Sequence, residues 1–123
     1  MLDAGALVAL ERNDRSMWSA LKLSALRTAT VWVPTTALAQ VWRRRPSQAR
    51  LAAALAHCVP AGFDEHARAV GELCGRAKTS DVCDAHVAIV AATRGDVLYT
   101  SDVEDMRRLL AAYGRRAPVI VRC

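Results

Sequence analysis

The chain has 123 residues, 53% hydrophobic and 24% charged, a composition that excludes a disordered or fibrous protein and predicts a single domain over residues 1–123. Seventeen Lys and Arg against twelve Asp and Glu give a net charge of +5, and because fifteen of these cations are Arg, the balance favours an anionic partner such as nucleic acid over a charge-neutral one. No uncharged stretch reaches the roughly 20 residues that span a bilayer and no signal-peptide pattern opens the chain, so we expect a cytoplasmic protein without a membrane partner.

Helices and strands are predicted to alternate along the chain. The predicted elements are helices at 6–11 and 17–27, a strand at 29–33, helices at 36–43 and 47–58, a strand at 59–63, helices at 64–75 and 82–93, a strand at 96–100, a helix at 103–113 and a strand at 118–122. The expected N-caps are Thr35 or Thr36, Ser80 or Asp81, and Asp102, and the expected helix ends are Gly75 and Gly95. This order predicts an α/β fold with a parallel sheet and helices on both faces.

The N-terminus is the awkward part of this prediction. A parallel sheet of this kind needs an apolar strand ahead of Asp3, and only Met1 and Leu2 are available. Because strands in such sheets usually have about five residues, two alternatives remain open. Either the first strand is very short, or the natural chain begins upstream of Met1.

Three aspartates, Asp3, Asp84 and Asp102, each precede or begin a predicted helix. The carboxyl ends of parallel strands and the following helix starts meet at one edge of a sheet, so these acids are expected to converge. Carboxylates that converge repel one another and favour a hard cation such as Mg²⁺. The competing interpretation is that each aspartate, taken alone, is an N-cap, because Asp is favoured there.

Four stretches together resemble the motifs of the PIN-domain ribonucleases of the VapC toxin family. They are LDAGALVALE from Leu2, AQVWR from Ala39, DVCDAHVA from Asp81 and TSDVED from Thr100, in the order of that family. The resemblance implies a PIN-like α/β domain with a central, mostly parallel sheet of four to five short strands and helices on both faces. It also implies a metal-dependent endoribonuclease, the toxin of a VapBC-type toxin–antitoxin system, in which Asp3, Asp84 and Asp102 bind Mg²⁺ or Mn²⁺ and Asp105 assists.

The chain departs from this family at Gln40, where such proteins often carry Glu. An amide oxygen can bind a metal but adds no negative charge. Glu11 or Asp81 are candidates to restore the charge, and Asp105 or Asp81 to orient the attacking water. The alternative to an active nuclease is a weakened or inactive PIN-fold module that keeps antitoxin or RNA binding.

The resemblance also implies a VapB-type antitoxin as partner, RNA as substrate, and self-association as a homodimer. The segment with Leu21, Leu23 and Leu26 and the helix that ends at Trp42 are the candidate contact surfaces. The triple arginine at 43–45 fits either RNA phosphates or a solvated helix end. His86 is expected to be a packing residue. The four cysteines, which have no zinc-site spacing, are expected to be buried or inert thiols.

Overall fold

The computed structural model describes residues 1–95 and 97–123 of the chain. In this part of the chain the elements are α1 Ala4–Glu11, α2 Arg15–Leu26, β1 Trp32–Pro34, α3 Thr35–Val41, a 3₁₀ helix Pro46–Gln48, α4 Ala49–Leu55, β2 Val59–Ala61, α5 Ala67–Ala77, α6 Val82–Arg94, β3 Val97–Thr100, α7 Val103–Tyr113 and β4 Val119–Arg122. The predicted alternation of helices and strands is confirmed, and the fold is α/β. Asp96, which the prediction placed in a strand, lies outside the described residues.

The strands form two parallel pairs. β1 pairs with β2 in the register Val33 to Pro60. β3 pairs with β4 in the register Leu98 to Ile120. The strands are shorter than the five residues predicted for each, with three residues in β1 and β2 and four in β3 and β4.

The N-terminal segment connects these two pairs. The N–H of Leu2 donates to the carbonyl of Trp32 at 3.0 Å, while the N–H of Asp3 donates to Tyr99 at 3.2 Å and the N–H of Tyr99 donates to Met1 at 3.1 Å. In a parallel ladder the next bond to Leu2 would come from residue 34, but Pro34 has no N–H to donate. Residues 1–3 therefore link the two pairs through an isolated bridge at Leu2, and their hydrogen bonds give the spatial order β2, β1, residues 1–3, β3, β4.

Two hydrophobic clusters lie on the two faces of this sheet. Side chains along the strands alternate between them, as a pleated sheet requires: Met1 and Leu98 belong to one cluster and Leu2 and Val33 to the other. The first cluster is completed by α5, α6 and α7, and the second by α1, α2 and α4. Helices thus cover both faces, as predicted.

Several helix boundaries differ from the prediction. Helix α3 begins at Thr35 itself, after Pro34 and without a side-chain cap, so neither threonine has the predicted capping role. The helix predicted at 47–58 is a 3₁₀ turn after Pro46 and then a short α4. Gly75 does not end α5, because Lys78 takes the left-handed conformation, with φ of 53°, and Thr79 N–H closes the turn on the Cys74 carbonyl at 3.1 Å.

The lengths and hydrophobicity of the helices bear on membrane insertion. Among the described residues, no helix combines enough length and apolar character to span a bilayer.

Candidate functional site

Three aspartates cap helices at the carboxyl edge of the sheet. Oδ1 of Asp3 accepts the N–H of Ala6 at 2.7 Å, and Oδ1 of Asp102 accepts the N–H of Asp105 at 3.1 Å. Asp81, rather than Ser80, caps α6, since its Oδ1 accepts the N–H of Asp84 at 2.9 Å. The capping interpretation therefore holds for Asp3 and Asp102 but not for Asp84, whose helix is capped by Asp81, and each of these hydrogen bonds engages one carboxylate oxygen.

Asp84 lies in the first turn of α6 and shows that the acids converge. Its pKa is raised to about 6, first by burial and then by the negative charges of four other carboxylates: Asp81, Asp3, Asp102 and Asp105. These charges come from three different parts of the chain. Folding thus brings five carboxylates into one electrostatic neighbourhood at the sheet edge.

The carboxylate of Asp3 is buried, which raises its pKa. The shift is opposed by hydrogen bonds from the hydroxyl of Thr100 and from the backbone N–H groups of Ala6, Ser101 and Gly5. A buried charge needs such donors, because an unpaired carboxylate away from water is costly. The donors come from both α1 and the loop before α7.

Thr100 joins two of the aspartates and was not predicted as a site residue. Its side chain is fully buried at the end of β3. The Thr100 hydroxyl oxygen accepts the N–H of Asp102 at 3.0 Å, and the same hydroxyl donates to the carboxylate of Asp3. A polar residue that follows an apolar strand and directly precedes a Ser-Asp pair is the sequence signal that could have pointed to it.

Gly5 lets α1 approach the loop that carries Asp102. A β-carbon built on Gly5 would lie 2.7 Å from Cβ of Ser101 and would collide with its Oγ. Helix α1 can therefore approach this loop so closely because Gly5 has no side chain. Sequence reasoning included Gly5 in a motif but assigned it no role.

Asp105 is already paired. Its Oδ1 accepts a hydrogen bond from Nη2 of Arg108 at 3.0 Å. The predicted role of Asp105 as an assistant at the metal therefore has to compete with a guanidinium. Its charge still acts on Asp84.

The two residues proposed to supply missing charge have different positions. Asp81 acts on Asp84, as predicted. Glu11 accepts a hydrogen bond from Nε2 of the buried Gln48 at 3.2 Å and is not among the charges that act on Asp84, so its predicted role is not supported.

Gln40 is exposed on α3. One turn earlier on the same helix, Oγ1 of Thr36 lies 2.9 Å from Nδ1 of His86 and ties α3 to α6.

The donors fit a hard divalent cation in type and charge, because they are carboxylate oxygens whose crowding raises the pKa of Asp84. They are not preassembled as a ligand set. In residues 1–95 and 97–123, no three His, Cys, Asp or Glu side chains lie close enough to hold one ion as they stand. The charges of Asp3 and Asp102 do act on Asp84, but the capping bonds turn the side chains of Asp3 and Asp102 toward their own helices.

His86 has the packing role expected of it. It is fully buried, its ring packs edge-on against Phe63 at 5.3 Å, and burial lowers its pKa to about 4. All four cysteines are free thiols; Cys58, Cys74 and Cys83 are half-buried, and Cys123 is the most exposed of them. Partial burial raises the pKa of the Cys123 thiol to about 11, which keeps it protonated and unreactive near neutral pH.

Comparisons of the chain with models of known protein families, with curated proteins and with solved structures found no match.

Proposed function

We propose that this chain is a metal-dependent endoribonuclease of the PIN type, the toxin of a VapBC-type system. The observation that carries the proposal is the convergence of Asp3, Asp81, Asp102 and Asp105 on the half-buried Asp84, whose pKa burial and these four charges together raise to about 6. A fold that crowds five carboxylates at one edge loses stability by doing so, and a divalent cation is the simplest compensation.

The topology supports this proposal. Asp3 follows the central strand segment and Asp102 follows the neighbouring strand β3, so both lie at the carboxyl edge of adjacent parallel strands. That edge is where open α/β sheets bind ligands. The motif resemblance adds the reaction class, hydrolysis of RNA phosphodiester bonds.

In this mechanism a bound Mg²⁺ or Mn²⁺ would polarise the phosphate of the substrate and lower the pKa of a bound water. Asp3, Asp84 and Asp102 would hold the ion after the side chains of Asp3 and Asp102 turn from their capping positions. Thr100 ties the Asp3 carboxylate to the backbone of Asp102 through its two hydrogen bonds. Asp84 must be ionised to bind a cation, so protons compete with the ion, and the affinity for the ion is expected to fall as the pH drops through about 6.

The test is cleavage of a single-stranded RNA oligonucleotide with Mg²⁺ or Mn²⁺, comparing Asp84→Asn with Asp64→Asn. Asp64 is an exposed aspartate outside the group that acts on Asp84, so its variant removes one charge without touching the site. We expect Asp64→Asn to keep the parent rate and Asp84→Asn to lose cleavage while it remains folded. Equal cleavage by the two variants would contradict the proposal.

The second candidate function is a non-catalytic module that keeps the fold and its partner contacts. It is favoured by the neutral, exposed Gln40 and by the lack of a preassembled group of three ligands among the described residues. Titration calorimetry with Mn²⁺ separates the two. The enzyme binds the ion at a stoichiometry of one and loses binding in Asp84→Asn, whereas the module shows no heat of binding.

A surface for the antitoxin is part of the same proposal. A groove of about 500 Å³ is lined mostly by apolar side chains of α2, with Leu21, Ala25 and Leu26 beside Trp18 and His57. Leu26 is 83% exposed and Leu23 45% exposed, so an apolar partner segment would remove much hydrophobic surface from water. The exposed Trp42 is the corresponding candidate contact for a homodimer.

A further inference from the structure

The carboxylates of Asp3, Asp81, Asp84, Asp102 and Asp105 are called the acidic group below. Arg108 lies beside this group and is held there by one exposed ion pair. Its Nη2 donates to Oδ1 of Asp105 at 3.0 Å, and the two side chains are 54% and 46% exposed. Asp105 in turn donates its N–H to Asp102. The Arg108 guanidinium is thus attached to the acidic group through a residue whose charge acts on Asp84.

Arg122 reaches the same loop from the opposite element. It ends β4, where the register pairs it with Thr100, and its Nη1 donates to the carbonyl of Ser101 at 3.3 Å. Arg122 is exposed. Two guanidinium groups, one from α7 and one from β4, are therefore anchored to the short segment between Ser101 and Asp105.

Both guanidinium groups keep most of their hydrogen-bonding capacity. Arginine has five N–H donors in a planar fork. In the described part of the chain, one donor of Arg108 is used on Asp105 and one donor of Arg122 on Ser101. The remaining donors of two exposed, pre-positioned forks suit the oxygens of a phosphate group, which a guanidinium can bind with two parallel hydrogen bonds.

An RNA-cleaving site built from carboxylates needs such cations nearby. Five carboxylates at one edge repel a polyanion, and each phosphate held beside them requires an opposing charge. Arg94 is paired with Glu65, and Arg115 stacks on Tyr113, so these cations are engaged elsewhere. Arg108 and Arg122 are bonded to the two ends of the segment that carries Asp102, at Asp105 and at Ser101.

We propose that Arg108 and Arg122 form a phosphate clamp that holds two backbone phosphates of single-stranded RNA beside the segment that carries Asp102. This inference rests on the proposed function, since it assigns the contacts of the same substrate. It does not require that the bond be cut. Binding can therefore be measured apart from cleavage.

The chain offers a matched control one residue away. Arg107 forms the same kind of ion pair on the same helix, with its Nη1 at 2.9 Å from Oε1 of Glu104, and it is 63% exposed. Glu104 is not among the charges that act on Asp84. If Arg108 were only a solvated surface cation, replacing it and replacing Arg107 would have the same effect on RNA binding.

The experiment measures binding of a labelled single-stranded RNA by fluorescence anisotropy, with EDTA present and at salt concentrations from about 50 to 200 mM. The proteins are the parent, Arg107→Ala, Arg108→Ala, Arg122→Ala, and the charge-retaining Arg108→Lys and Arg122→Lys. Urea unfolding of each protein shows that the fold is kept. The salt dependence matters because each lost phosphate contact lowers the slope of log K against log salt by about 0.7 for a single strand.

We expect Arg108→Ala and Arg122→Ala each to weaken binding about tenfold at the lower salt, equally for RNAs of different sequence, and to lower the slope by about 0.7. The lysine variants should recover the slope but only part of the affinity, because an ammonium lacks the fork. Arg107→Ala should bind like the parent. If the protein shows this binding pattern but cleaves no RNA, the clamp is supported and the proposed reaction fails. The clamp is overturned if Arg108→Ala and Arg122→Ala bind RNA as tightly as Arg107→Ala does, or if the parent binds no RNA.

Discussion

Gly5 and Ser101 lie so close that Cα of Gly5 leaves no room for a side chain, since an added β-carbon would be 2.7 Å from Cβ of Ser101. The contact joins the first turn of α1, which Asp3 caps, to the loop that precedes Asp102. The two aspartates therefore share an edge because a glycine allows this approach.

Gly5→Ala is expected to push α1 away from this loop. Overpacking of this kind typically costs about 1 to 3 kcal/mol, which urea unfolding would measure. The rate of RNA cleavage should also fall, and by more than the loss of folded protein explains, because the displacement separates Asp3 from Asp102. Gly71→Ala is the control: Gly71 lies inside α5 with nothing within 4 Å of an added β-carbon, and this change should stabilise the protein by about 0.5 to 1 kcal/mol. A Gly5→Ala protein as stable and active as the parent would show that the approach is not needed.

Thr100→Val removes the hydroxyl that joins Asp3 and Asp102 while keeping the side-chain shape. The change should cost about 1 to 3 kcal/mol of unfolding free energy, because one lost hydrogen bond is to a charged group. It should also raise the pKa of Asp3 further, since a donor that stabilises its charged form is lost. NMR titration should show that Thr100→Ser restores the pKa of Asp3. An unchanged pKa of Asp3 in Thr100→Val would contradict the hydrogen bond between Thr100 and Asp3.

Asp84→Asn is expected to stabilise the protein in a pH-dependent way. The pKa of Asp84 rises from 3.8 to about 6 on folding, so the folded protein holds this proton more tightly than the unfolded chain. The ionised carboxylate therefore lowers stability by the full amount above pH 6, and by progressively less as the pH falls through 6 towards 4. Urea unfolding of the variant should show a gain on the order of 2 kcal/mol at pH 7.5 that disappears near pH 4.

Asp64→Asn is the control for this pH dependence and should show no such gain. Mn²⁺ should reverse the order, since it stabilises the parent by binding the folded state and leaves Asp84→Asn unchanged. A gain in stability that is the same at all pH values would mean that the negative charges do not converge on Asp84.

Gln40→Glu tests whether the acidic group is short of one charge. If α3 presents this position to the metal, the added carboxylate should raise Mn²⁺ affinity about tenfold, because charge count sets the affinity of such sites. Ala39→Glu adds the same charge to the neighbouring exposed residue of α3, and it should leave Mn²⁺ binding close to that of the parent. Equal calorimetric titrations for the two variants would place residue 40 outside the site.

The local parts of the fold were predictable because their causes are local. An N-cap bond spans three residues, so Asp102 could be recognised as the cap of α7 from its immediate neighbours. The end of α5 was not predictable in this way. Gly75 was the expected end, but the helix continues to Ala77. The left-handed conformation of Lys78 ends it there, and Val70 and Leu73 pack the helix in the core.

The sequence by itself determined the alternation of helices and strands and the presence of aspartates where elements change, since both follow from periodicity and residue type. Only the tertiary structure decided that residues 1–3 join two strand pairs, that Thr100 connects Asp3 with Asp102, that Glu11 turns to Gln48, and that Arg108 and Arg122 reach one loop. These contacts join residues far apart in the chain. Their distances are set by strand register and helix packing, which act between elements and leave no mark on the spacing of residues within one.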